Sequence, residues 1–121
     1  MSKRVLIVDD ALFMRTMLRE IFVAAGWQVV AEADDGEQAI EIYQSQKPDL
    51  VTMDVVMPEM GGIEALKKIL AQDPLARIVV CSALGQKKLI LEAIQAGAKD
   101  FIVKPFQQDQ VLEVVERVIS E

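Results

Sequence analysis

The sequence predicts one α/β domain: a parallel sheet with helices on both faces. Five short apolar, β-branched runs alternate with five longer segments of helical spacing, and such alternation builds parallel strands joined by right-handed crossovers. The first, third and fourth runs are apolar throughout, as strands covered on both faces are. The 121 residues are 52% hydrophobic and show no linker or shift of composition, enough for one core and no sign of a second.

In chain order, "KRVLIV" (3–8) is the first strand. The helix over 12–25 presents Leu12, Phe13, Met17, Leu18, Ile21 and Phe22 as one broad apolar face. Gly26 stops it, and "WQVVAEA" (27–33) follows as a strand whose Gln28 and Glu32 suit an edge position. The acidic "EADDGE" (32–37) reads as a helix-start loop rather than a second metal site, with Asp35 as N-cap. Helix 36–46 carries Ala39, Ile40 and Tyr43, and "KPD" (47–49) leads into the strand "LVTMD" (50–54). Helix 62–72 has Ile63, Leu66, Ile69 and Leu70 and ends before Pro74. The strand "RIVVCS" (77–82) precedes helix 86–96, with Leu89, Ile90, Ala93 and Ile94, which Gly97 terminates. "DFIVK" (100–104) and helix 107–119, with Val111, Leu112, Val115, Val118 and Ile119, complete the pattern.

Composition removes several function classes. A net charge of −6 argues against nucleic acid or an anionic membrane as partner. No apolar run reaches the roughly 20 residues of a membrane span, and the opening "MSKRVLIVDD" lacks a signal-peptide core, so a cytoplasmic location is expected. Without histidine there is no Ser-His-Asp or Cys-His nucleophile and no His-ligated zinc. Cys81 is the sole cysteine, so no intrachain disulfide forms; it reads as a small apolar filler whose side chain points away from that of Ser82. The six methionines read as core fillers, with Met57 and Met60, beside Pro58, partly exposed.

The polar residues fall in a pattern. Asp9 and Asp10 end the first strand, Asp54 the third, Ser82 the fourth and Lys104 the fifth. Open parallel sheets bind ligands beyond the carboxyl ends of their strands, and all five residues belong to that rim. Three neighbouring carboxylates repel one another unless a cation intervenes. Oxygen donors alone select a hard ion, Mg²⁺ with Mn²⁺ as substitute. A cation, an ammonium and a hydroxyl together suit the equatorial oxygens of a transferring phosphoryl group. An aspartate can be its acceptor, and Asp54, alone on the central strand, is the candidate.

With "VLIVDD" (5–10), "DLVTMDVVMPEMGG" (49–62), "VVCSA" (79–83) and "AGAKDFIVKPF" (96–106), the chain resembles bacterial response-regulator receiver domains from end to end, most of all their single-domain chemotaxis members. The resemblance implies a flavodoxin-like (βα)5 domain over residues 1–121 with strand order 2-1-3-4-5. It makes Asp54 the phosphoacceptor. Asp10, Asp54 and the backbone carbonyl of Val56 would bind Mg²⁺ directly, with Asp9 acting mainly through water. Ser82 and Lys104 would contact the phosphoryl oxygens, Phe101 would turn inward as Ser82 moves, and the bond before Pro105 would be cis. The output surface would be helix 86–96, strand 100–104 and helix 107–120. A monomer is implied. A histidine kinase or a small acyl phosphate would be the donor, the flagellar motor switch the target, and a phosphatase a further partner.

The sequence also departs from the family pattern. Ser82 stands where threonine is common, and Phe101 where the enteric chemotaxis protein has tyrosine. Gly61 replaces the usual Asp or Asn, which weakens the N-cap of helix 62–72. Val56 and Leu84, two residues beyond Asp54 and Ser82, are apolar and predict slow self-dephosphorylation. Two alternatives keep a similar site: a stand-alone receiver in a phosphorelay, and a small Mg²⁺-dependent phosphohydrolase. The second lacks an acid two residues past Asp54 and a loop long enough for a lid. A flavin module would need a Ser/Thr/Gly-rich loop where Asp-Asp-Ala-Leu-Phe stands, and no "GxxxxGK" loop for ATP occurs.

Overall fold

The computed structural model describes residues 3–121. Its elements are β1 (Arg4–Val8), α1 (Leu12–Ala24), β2 (Gln28–Ala33), α2 (Gly36–Gln46), β3 (Leu50–Asp54), α3 (Gly62–Gln72), β4 (Ile78–Ser82), α4 (Lys87–Ala96), β5 (Asp100–Val103) and α5 (Gln108–Ile119). Every expected element is present, with ends displaced by a residue or so. The strands lie in the order β2-β1-β3-β4-β5, and every neighbouring pair is parallel.

Strand alternation divides the core in two. Leu6, Val8, Val51, Met53, Ile78 and Val80 pack under α2, α3 and α4. Val5, Ile7, Leu50, Val79, Cys81 and Ile102 pack under α1 and α5 with Phe22, Val111 and Val115. β3 and β4 are buried at every position; at about 1.5–3 kcal/mol per buried Val, Leu, Ile or Met side chain, these strands anchor the fold. Trp27 leads into β2 and meets Phe22 edge-on, ring centroids 5.3 Å apart.

Local signals set several boundaries. The Asp35 carboxylate accepts from Gln38 N–H at 2.8 Å and caps α2. Gly97, at φ 118°, closes α4 in the left-handed region that glycine enters without steric cost. Gly61 gives α3 no side-chain cap. The Tyr43 hydroxyl donates to Asp73 at 2.7 Å and ties α2 to the end of α3; burial first, then Asp73, pushes the phenol well above its usual range.

Three expectations are corrected. Leu12 and Phe13 do not join the buried face of α1; they are 66% and 70% exposed, because they stand in the first turn, before the stretch of the helix that buries Leu18, Ile21 and Phe22 against the sheet. Met57 is buried in the core under α2 and α3 rather than partly exposed, and Ile94 lies toward solvent on α4. Met1 lies outside the described residues. Among the described residues no helix is long and apolar enough to cross a membrane.

Candidate functional site

Sheet pairing continues one residue past β1: Asp9 N–H donates to the Ala33 carbonyl at 3.1 Å. The Asp9 side chain then turns the chain toward α1, its Oδ1 accepting from Ala11 N–H at 2.9 Å. Asp9 is buried and Asp10 exposed. Asp54 is the last residue of β3. One carboxylate oxygen from each of Asp9, Asp10 and Asp54 falls within 4.8 Å of the others. Lys104 Nζ stands 3.0 Å from Asp9 Oδ2 and 3.3 Å from Asp54 Oδ2, and Val56 N–H donates to Asp54 Oδ1 at 3.3 Å. One ammonium thus pairs with two of the three clustered carboxylates.

Burial first, and the Asp9 charge second, raise the Asp54 carboxyl to about 6, against the pull of Lys104 and the Val56 N–H. Burial opposes the Lys104 charge, but Asp9 and Asp54 outweigh it and hold its pKa above the ordinary lysine value. A buried acid left partly uncompensated, among oxygen donors with no histidine or thiolate, fits a hard divalent cation such as Mg²⁺.

Ser82 ends β4 one residue beyond Cys81, the register partner of Asp54. Its hydroxyl is buried without a hydrogen-bond partner among the described residues, a condition that costs about 1–3 kcal/mol. Its carbonyl accepts from Lys104 N–H at 2.8 Å, so the ends of β4 and β5 hold each other. The Lys104–Pro105 peptide is cis. Phe101 shares a sheet face with Ser82 by register and is 40% exposed. Val56 and Leu84, 49% and 80% exposed, flank the rim. Cys81 is buried under α1 and α5, on the opposite face of β4 from Ser82; burial raises its thiol well above the usual range.

The structure adds a cleft that the strand-end pattern did not include. Asp34, Asp35, Pro58 and Glu59 line a cleft of about 380 Å³ together with Asp10; the density of acids in "EADDGE" and "MPEM" was the available signal. Gly62 is required by close approach: a Cβ there would lie 1.9 Å from the Asp54 carbonyl oxygen.

Residues 5–116 match the family model described as the response regulator receiver domain. The chain is 58% identical over 120 residues to the chemotaxis protein CheY of Bacillus subtilis, covering 99% of this chain and 100% of that one. It is 58% identical over 118 residues to CheY of Thermotoga maritima, covering 98% of each. Among solved structures, a CheX–CheY–BeF3–Mg²⁺ complex from Borrelia burgdorferi matches with a TM-score of 0.93 at 40% identity, over 98% of this chain and 90% of that one.

Proposed function

The chain belongs to the response regulator receiver family, and on that premise we propose that it is a chemotaxis switch in which Asp54 accepts a phosphoryl group from a partner histidine kinase or a small acyl phosphate. The observation that carries this reading is the buried Asp54 carboxylate, clustered with those of Asp9 and Asp10 and sharing the Lys104 ammonium with Asp9. An Asp54 oxygen attacks phosphorus; the bond to the donor's nitrogen or oxygen breaks, and the leaving group departs with the bonding pair. Asp10, Asp54 and the Val56 carbonyl, with Asp9 through water, would hold Mg²⁺ or Mn²⁺. Such an ion, when bound, supplies positive charge to the phosphoryl oxygens.

Lys104 follows the new charge, and Ser82 turns its unpartnered hydroxyl toward a phosphoryl oxygen. That movement vacates space on the face it shares with Phe101, which swings inward. The changed surface of α4, β5 and α5 then binds the flagellar motor switch. With Val56 and Leu84 offering no polar group to a hydrolytic water, loss of phosphate is left to a phosphatase partner. The CheX-bound relative, carrying BeF3 and Mg²⁺, supports a second protein that engages the loaded form.

Intact mass after incubation with a small acyl phosphate and Mg²⁺ tests the proposal. The wild type should gain one phosphoryl group, whereas Asp54→Asn and a chelator-treated sample should gain none. A wild type that stays unmodified, or an Asp54→Asn variant that is modified equally, overturns the assignment. Capture of a target other than a motor component by the phosphorylated form would place the chain in another regulatory pathway.

A further inference from the structure

We infer that Arg15 is a positioning residue for the acid cluster: its guanidinium fixes the peptide joining Asp9 to Asp10, and so the direction in which Asp10 points. The inference deepens the reading above and rests on the acid cluster taking up a divalent cation.

Asp10 needs outside support. Its carboxylate is exposed, and its side chain makes no hydrogen bond among the described residues. Asp9 beside it is held by Lys104 at Oδ2 and by three further hydrogen bonds. Its N–H donates to Ala33, its Oδ1 accepts from Ala11, and its carbonyl oxygen accepts from Arg15 Nη1 at 2.7 Å. The third bond sets the rotation of the Asp9–Asp10 peptide plane. Among the described residues no other hydrogen bond reaches the Asp9 carbonyl.

Arg15 is itself aimed. Its Nε donates to Glu32 Oε1 at 3.1 Å, and Arg19 holds the other Glu32 oxygen. Glu32 sits on β2 opposite Ile7 of β1, two residues before Asp9. One rigid, planar fork therefore bridges a fixed point on the sheet and the main chain of the acid pair, a task for arginine more than for lysine.

Charge and positioning predict opposite signs. Removing a cation near three carboxylates should tighten binding of Mg²⁺ if charge alone mattered. Removing the bond that orients a ligand should weaken it, by about 10–100-fold where such supporting partners have been deleted elsewhere. Calorimetric titration of Mg²⁺ into the wild type, Arg15→Gln, Arg15→Lys, Glu32→Gln and Arg19→Gln, with melting of each chelator-treated protein, distinguishes them.

The expected result is affinity at least about tenfold weaker in Arg15→Gln, partial recovery in Arg15→Lys, a smaller loss in Glu32→Gln, and unchanged or tighter binding in Arg19→Gln. Arg15→Gln binding as tightly as a wild type that does bind Mg²⁺ overturns the positioning role alone. So does an equal loss in Arg19→Gln. If Arg15→Gln fails to fold, Arg15→Lys decides, since it keeps the charge but loses the planar fork that joins Glu32 to the Asp9 carbonyl; affinity equal to the wild type there overturns the inference. A wild type that takes up no Mg²⁺ overturns the cation site and this inference with it.

Discussion

At Asp54 the folded and unfolded chains differ in proton affinity, since the carboxyl rises from 3.8 to about 6 on folding. A raised carboxyl pKa contributes stability that is fully present below about pH 4 and is lost as pH climbs through 6. A rise of that size corresponds to about 3 kcal/mol. Metal-free Asp54→Asn should therefore be more stable than the wild type at pH 7.5, by up to that amount, with the advantage gone near pH 4. Urea unfolding across that range checks it, and equal midpoints at pH 7.5 would contradict the electrostatic picture. Mg²⁺ should narrow the gap at pH 7.5 by favouring the charged wild type. Val56 and Leu84 permit a second test at this scale, because both are exposed and can change without loss of core. Val56→Asn with Leu84→Glu should speed loss of the phosphoryl group by about tenfold or more, the scale of a positioned polar group acting on water. Intact mass followed over time after donor removal reads the rate.

Among the elements, α3 shows how sequence and site constrain each other. Its two glycines look equivalent in "MGG" but have different reasons. Gly61, the N-cap, has extended backbone and open space, the nearest atom to an added Cβ being 3.8 Å away. Gly62 has none. Gly61→Asp should stabilise the fold by a few tenths of a kcal/mol through a restored cap. Gly62→Ala should cost several times that and displace the Asp54 carbonyl, lowering both the melting temperature and acceptance of phosphate from an acyl phosphate. Equal effects of the two substitutions on thermal melting would refute the distinction. α1 gives the complementary lesson. Helical spacing identified its apolar residues, but Leu12 and Phe13 face solvent, because periodicity assigns a face and does not reveal where the neighbouring layer ends.

Over the whole molecule, the proposed switch would be a change of population between two packings. Moving it from mostly off to mostly on requires about 5.5 kcal/mol of differential stabilisation. A few charge-assisted hydrogen bonds at ~1.5–3 kcal/mol each reach that scale, and in the proposed switch Lys104 and Ser82 would make them. Phe101 is outward in this structure, the arrangement expected before phosphorylation. In Phe101→Trp, acyl phosphate with Mg²⁺ should shift emission to the blue as the indole turns inward, while Trp27, already buried, stays constant. Adding Ser82→Ala should abolish the shift without blocking modification of Asp54. A shift that survives Ser82→Ala would break the proposed link between the two residues.

The order of elements, the buried strands and the rim on which Asp9, Asp10, Asp54, Ser82 and Lys104 gather were legible from the chain alone. Alternation and helical spacing are local properties, and a parallel sheet sends every strand's carboxyl end to one side. The strand order entered only through resemblance, since local pattern does not say which strands are neighbours. Tertiary structure alone decided that Asp9 is buried against Lys104 while Asp10 meets solvent, that Gly62 must clear the Asp54 carbonyl, and that Arg15 reaches the Asp9 main chain from α1. Each depends on distances between segments far apart in sequence or on the limits of a packed layer, which exist only once the sheet is assembled.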